Sequence, residues 1–211
     1  MMEKKSTSMI LEANFDIDQV GSTLEYHFWR RDKQGNPIEG KDAGSIYFTV
    51  GEKFYIQVKA GSKKPFRSFD ILDCCIISAP QIYQCGPEIA TVYAPPSPFA
   101  AEMPGEVRGA SINLPAKQFE PRMVAPKDGY YQIVQNWTDH LTVAGLAARW
   151  EISFIITVRV TPQDGDSYLR VFSFDPEAVV GTSSSPDGFE LEPNMLMMMP
   201  EPVVGTAGSP D

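Results

Sequence analysis

From Trp150 to Val160 apolar side chains fall on every second residue: Trp150, Ile152, Phe154, Ile156, Val158 and Val160. Glu151, Ser153, Thr157 and Arg159 fill most of the gaps. A period of two belongs to a β-strand with one apolar and one largely polar face. The next stretch, Thr161 to Ser167, carries the turn residues Pro162, Asp164, Gly165 and Asp166. Beyond it Tyr168, Arg170, Phe172 and Phe174 alternate with Leu169, Val171 and Ser173. Two such runs across a glycine-containing loop predict an antiparallel hairpin. It stops at Asp175-Pro176, because proline has no N–H to give a ladder.

The same period marks earlier strands at Met9–Asp16, Thr23–Arg31, Ser45–Val50, Lys53–Ala60 and Gly129–Trp137. Only Gly51-Glu52 separates Ser45–Val50 from Lys53–Ala60, which predicts a tight hairpin. Phe66–Ser78 is less regular, with Phe69, Ile71, Leu72, Ile76 and Ile77 in a nearly continuous apolar run. That fits a strand covered on both faces and containing a bulge, or a short buried helix. Ala79–Pro126 is broken by prolines, leaving room for short strands near Ile89–Tyr93 and Gly109–Leu114. The remainder reads as long surface connections, where binding function often lies. Leu141–Ala148 is the one stretch with the character of a helical turn. The expectation is an all-β protein: a single antiparallel β-sandwich over residues 1–180, jelly-roll or immunoglobulin-like, with a Pro/Gly-rich acidic tail at 181–211.

The tail repeats itself. Pro176 to Asp187 returns as Pro200 to Asp211, with Pro-Glu, Val-Val-Gly-Thr and Ser-Pro-Asp at matching places. Between the copies stands Met195-Leu196-Met197-Met198-Met199. Its Pro, Gly, Ser and acid content fits disorder. Alternatively Val179-Val180 forms an edge strand and Val203-Val204 competes for its place, in the same chain or another.

Charge narrows the partners. The net charge is −9, from 18 basic and 27 acidic residues; seven of the acids and none of the bases follow Arg170, which leaves 18 against 20 in residues 1–170. A basic footprint is missing, so no nucleic-acid partner is expected. No run of about 18 apolar residues is present to span a membrane, and Met1–Ser8 lacks the pattern of a secretory signal. Three cysteines, two of them adjacent (Cys74, Cys75, Cys85), suit a reducing compartment, and the expected location is cytoplasmic.

Candidate chemistry is sparse. The two histidines, His27 and His140, have no second ligand at metal-binding spacing, so neither a metal nor a cofactor is expected. Cys74 and Cys75 sit in the apolar run and read as core thiols, with no catalytic base in sight. Asp16-x-Asp18, Asp70-x-x-Asp73 and Asp164-x-Asp166 offer oxygens of the calcium-binding kind, but turns and strand ends explain them too. Trp137, Asp139 and His140, after a strand end, combine an aromatic face with polar groups as sugar-binding sites do.

Three short features resemble the AidA/PixA inclusion-body proteins of bacteria. They are the first strand closing on Phe15-Asp16-Ile17-Asp18, the Val50-Gly51-Glu52 approach to a strand, and the hairpin ending Phe172-Ser173-Phe174-Asp175-Pro176. The similarity covers roughly residues 9–180, and the duplicated tail lies outside it. The resemblance implies a bacterial, cytoplasmic, non-enzymatic β-protein that self-associates as a homo-oligomer or inclusion, with links to host association or quorum sensing. It brings no catalytic residues. The competing expectation is a carbohydrate-binding sandwich that takes a glycan around residues 79–126 and at Trp137, Asp139 and His140.

Overall fold

The computed structural model describes residues 8–31, 37–38, 45–85, 90–127, 129–144, 148–174 and 177–181. The strands run in order β1 (Ser8–Asp16), β2 (Glu25–Arg31), β3 (Pro37–Ile38), β4 (Ser45–Thr49) and β5 (Lys53–Ser62). β6 (Phe66–Pro80), β7 (Ile82–Cys85), β8 (Ala90–Tyr93) and β9 (Ser111–Asn113) follow. A single 3-10 turn at Ala116–Gln118 then leads into β10 (Phe119–Lys127), β11 (Tyr130–Trp137) and β12 (Leu141–Thr142). β13 (Ala148–Pro162), β14 (Tyr168–Phe174) and β15 (Glu177–Gly181) close the set. No α-helix occurs among the described residues. Leu141–Ala148, expected to turn helically, supplies β12 and the first residue of β13; within it 145–147 lie outside the described residues.

Two sheets carry the fold. The first has the order β10-β11-β5-β1-β2-β3 with β12 also on β5; the second has β4-β15-β13-β6-β9 with β14 also on β13. β7 and β8 form a separate ribbon. The hairpin read from the sequence is present, with Phe154 opposite Phe174 and Val160 opposite Tyr168. Most pairings are antiparallel, but β1 runs parallel to β5 and β4 parallel to β15. The inner faces meet through aromatic rings. Phe15 of β1 stacks on Phe172 at 4.6 Å and meets Phe69 edge-on at 5.5 Å, while Tyr26 stacks on Phe174 at 4.3 Å. Each such pair adds about 0.5–1.5 kcal/mol beyond area burial.

The expected hairpin at Gly51-Glu52 does not form. β4 belongs to the second sheet and β5 to the first, so the chain crosses between layers at this turn. Glu52 N–H donates to the Thr49 carbonyl at 2.9 Å, which places Gly51, with φ 79°, third in the turn. A positive φ at that place is the mark of a type II turn, whose twist splays the flanking strands instead of pairing them. The freed backbone pairs with Val143: Gly51 N–H to its carbonyl and Val143 N–H to the Glu52 carbonyl, both at 2.9 Å. The Glu52 carboxylate is fully buried, accepting from Arg30 Nε at 2.9 Å and from Thr49 N–H at 3.0 Å.

Phe66–Ser78 is a strand covered on one face, not both. Phe66, Phe69, Ile71, Cys74, Ile76 and Ser78 point inward, whereas Leu72 and Ile77 are exposed. The gaps of three in that inward series coincide with two register slips against β13, where Leu72 and Arg67 have no partner. Each slip sets two residues opposite one, so the phase is restored without losing the inward face.

The Pro-rich region also departs from the surface reading. Ser97 and Phe99 are completely buried, Trp150 Nε1 donates to the Pro95 carbonyl at 2.7 Å, and Ser78 Oγ donates to the Pro96 carbonyl at 2.9 Å. β10 carries Pro121 and Pro126 and lies at the edge of its sheet, where a missing N–H costs no ladder bond. Val179-Val180 lies in β15, flanked by β13 on one side and β4 on the other, so it is not an edge strand. The second copy of the repeat and the methionine cluster lie outside the described residues.

Candidate functional site

The outer face of the first sheet holds a polar cleft of about 310 Å³. Strand register assembles it. Glu25 of β2, Asn14 of β1 and Lys59 of β5 lie side by side in one row, and Asp16, Gly61 and Gln132 in the next. Alternation along β1 sends Glu12, Asn14 and Asp16 to this face while Leu11, Ala13 and Phe15 fill the core. Tyr130 covers Gly61 so closely that a Cβ there would overlap its ring. Glycine is thus required for the aromatic to lie flat over the sheet.

Most donors in the cleft are engaged. Lys59 Nζ sits 2.6 Å from Glu12 Oε2, and Asn14 Nδ2 donates to Glu12 Oε1 at 3.4 Å. Tyr130 Oη donates to Asp16 Oδ2 at 3.0 Å, and Asp18 N–H to Asp16 Oδ1 at 2.8 Å. Burial, the bond to Asp16 and the charges of Asp16, Glu25 and Asp18 push the Tyr130 phenol up to about 12. The loop beyond β1 is clamped from the other sheet. Tyr168 Oη donates to the Ile17 carbonyl at 2.9 Å, and Arg170 donates to the Gln19 carbonyl at 2.7 Å and the Gly21 carbonyl at 2.9 Å. Asp16 is therefore held in place by both layers.

The outer face of the second sheet is of another kind. Leu169 and Val171 of β14 are 59% and 54% exposed, and Leu72 and Ile77 of β6 both 38%. Between them β13 presents Ser153, Ile155, Thr157 and Arg159. Arg159 pairs with Leu169 on one side and Asp70 on the other, and Thr157 with Val171 and Asp73. The face is an apolar patch interleaved with charges of both signs.

No family model matches the chain, and no curated protein matches it. Among solved structures, it is similar to an inclusion body protein (PixA) from Burkholderia cenocepacia J2315, with 86% of this chain and 99% of that one covered, 11% identity and a TM-score of 0.34. A likeness that loose assigns neither a family nor a function.

The residues singled out in the sequence do not converge. Trp137 faces the core, 6% exposed, with Nε1 donating to Gln118 Oε1 at 3.0 Å. A sugar needs an open ring face, which this one does not offer. Asp139 is exposed, and His140 lies next to it at 3.6 Å, with its ring 5.6 Å from that of Tyr55. His27 lies 3.5 Å from Glu25 at the rim of the cleft. Cys74 is buried, and desolvation with the nearby Asp73 pushes its thiol far up, away from nucleophilic use. Asp16 and Asp18 spend oxygens on their own loop and on Ser62 Oγ. Among the described residues no group of three His, Cys, Asp or Glu side chains is placed to hold a metal ion. Sequence reasoning missed Tyr130, Gly61 and Lys59, because parallel pairing of β1 with β5 brings Gly61 and Lys59 to this face and antiparallel pairing of β11 with β5 brings Tyr130. The isolated Gly61 in an alternating strand was the one available sign.

Proposed function

We propose that this chain is a non-enzymatic structural protein of the inclusion-body kind, which self-associates through the outer face of its second sheet. The observation that carries this reading is the exposure of Leu72, Ile77, Leu169 and Val171 together on that face. The charges around them suit a second copy. Arg159 beside Asp70 and Asp73 gives a face carrying both signs, so a copy turned about a two-fold axis sets acids opposite bases. The patch spans three strands about 4.8 Å apart and about eight residues at ~3.3 Å each. That is roughly 10 by 26 Å, less than the ~800 Å² per partner of a standard interface. One such face makes a weak, concentration-dependent contact, as a protein that accumulates only when abundant requires.

The burial of Cys74, which pushes its thiol up and away from nucleophilic use, supports the non-enzymatic part of the reading. Sedimentation velocity over a hundredfold range of concentration tests the association. The wild-type chain should shift to faster species as concentration rises, and a Leu169→Lys/Val171→Lys double variant should stay at the slow limit. Identical profiles for the two proteins at every concentration would remove the proposed surface.

A further inference from the structure

We infer that the open edge of β14 pairs with the same edge of a second copy, so that the second sheet runs on from one chain into the next. This goes beyond the face-to-face contact, which closes at two copies. The bonding pattern along β14 is the first reason. Ser173 N–H donates to the Ser22 carbonyl, and the Ser173 carbonyl accepts from Leu24 N–H, so both point away from β13. The register of β14 on β13 runs from Phe174 to Tyr168 without a slip, so Leu169 and Val171 aim their backbone N–H and carbonyl groups the same way. Among the described residues no strand pairs with them there, and residues 22–24 meet this edge only at Ser173.

Sheet edges are usually blunted against such pairing. β10 carries Pro121 and Pro126, and β3 and β9 are two and three residues long. The 169–171 edge has no proline and no acid, and its Leu169 and Val171 are both more than half exposed. Its one charge, Arg170, is spent on the carbonyls of Gln19 and Gly21, a clamp that holds the fully exposed Val20 beside the edge.

The edge is complementary to itself, which decides for a second copy over a foreign strand. A two-fold axis at Arg170 would set two guanidinium side chains opposite each other, a destabilising pair. An axis at Leu169 avoids that. Leu169 then exchanges two backbone bonds with the partner's Leu169, while Arg170 faces the partner's Tyr168 and Val171 the partner's Ser167. Apolar side chains are covered, and no acid meets an acid. The outer face alone falls short of the ~800 Å² per partner of a standard interface, and the edge adds surface continuous with it, because Leu169 and Val171 belong to both. Two-fold contacts at two surfaces of one chain carry the assembly past the dimer.

Disulfide crosslinking of the full chain, in a Cys75→Ser/Cys85→Ser background, reads the register. The Cα atoms of a directly opposed, hydrogen-bonded pair lie about 5.5 Å apart, within the roughly 4.4–6.8 Å that a disulfide spans. Leu169→Cys should therefore give a crosslinked dimer under mild oxidant, and Val171→Cys, opposite a serine, should give little. Sedimentation velocity supplies a second reading. Val171→Pro removes an N–H that the chain's own ladder does not use, so it should melt as wild type does yet stop at dimers where wild type goes on to larger species. If that variant does not fold, the crosslink alone decides. The inference fails if Leu169→Cys does not crosslink, if Val171→Cys crosslinks as readily, or if Val171→Pro assembles as wild type does. It fails too if the Leu169→Cys crosslink forms only after residues 188–211 are deleted, which would give the edge to the chain's own tail. A wild type that stops at dimers, with Leu169→Cys uncrosslinked, overturns the edge contact and leaves the face contact standing.

Discussion

Replacing Glu52 with alanine should destabilise the fold by about 3–5 kcal/mol, the usual cost of removing one partner from a buried ion pair. The magnitude follows from its surroundings. The Glu52 side chain is 0% exposed and that of Arg30 is 16% exposed, with Arg30 Nε at 2.9 Å and a second guanidinium nitrogen at 3.4 Å. Truncation leaves the guanidinium without this carboxylate and removes the acceptor of the Thr49 N–H. Those losses fall on the turn that carries the chain from the second sheet to the first. For a chain of this size each kcal/mol moves the melting temperature by roughly 2–4 °C, so the midpoint should drop by about 6–20 °C. Urea unfolding followed by tryptophan fluorescence gives the free energy directly. Glu52→Gln should fall between wild type and Glu52→Ala, because an amide oxygen still accepts from Thr49. A loss below about 1 kcal/mol for Glu52→Ala would refute the reasoning, since it would mean that the crossing holds without the carboxylate.

Three further outcomes follow from the same geometry. Gly61→Ala should cost about 1–3 kcal/mol by overpacking against Tyr130, and in a Tyr130→Ala background the penalty should largely vanish in the same urea assay. Burial and the bond to Asp16 push the Tyr130 phenol up to about 12 in the folded chain, against its ordinary value of 10.0 when unfolded, so the unfolded state loses its proton first as pH rises. Its contribution is complete below about pH 10 and is lost towards pH 12; urea midpoints of Tyr130→Phe should therefore decline less steeply over that window than those of wild type. Cys74, buried and with its thiol pushed up, should resist iodoacetamide in the native state and react only after unfolding, as peptide mass spectrometry would show.

The alternation of Trp150–Val160 and Tyr168–Phe174 was enough to place the central hairpin, because period two leaves one face for the core and the glycine loop fixes the return. The same rule marked β1, β5 and β11 within a residue or two. It failed where the determinant was not local. Phe66–Ser78 reads as a nearly continuous apolar run because two bulges shift its phase, and where the phase shifts becomes evident only against the strand it slips along. Gly51-Glu52 has the length of a hairpin loop, yet it divides two sheets, since the backbone turn and a buried carboxylate decide where the chain goes. β10, with its prolines, is permitted because it is an edge, and no local pattern says which strand will be one. The cleft shows the same division. The sequence by itself determined that Glu12, Asn14 and Asp16 share one outward face of a strand. Only the tertiary structure set Lys59 and Gly61 beside them by parallel pairing, and Tyr130 above, because strand order is chosen by the packing of whole sheets and not by the residues that line the site.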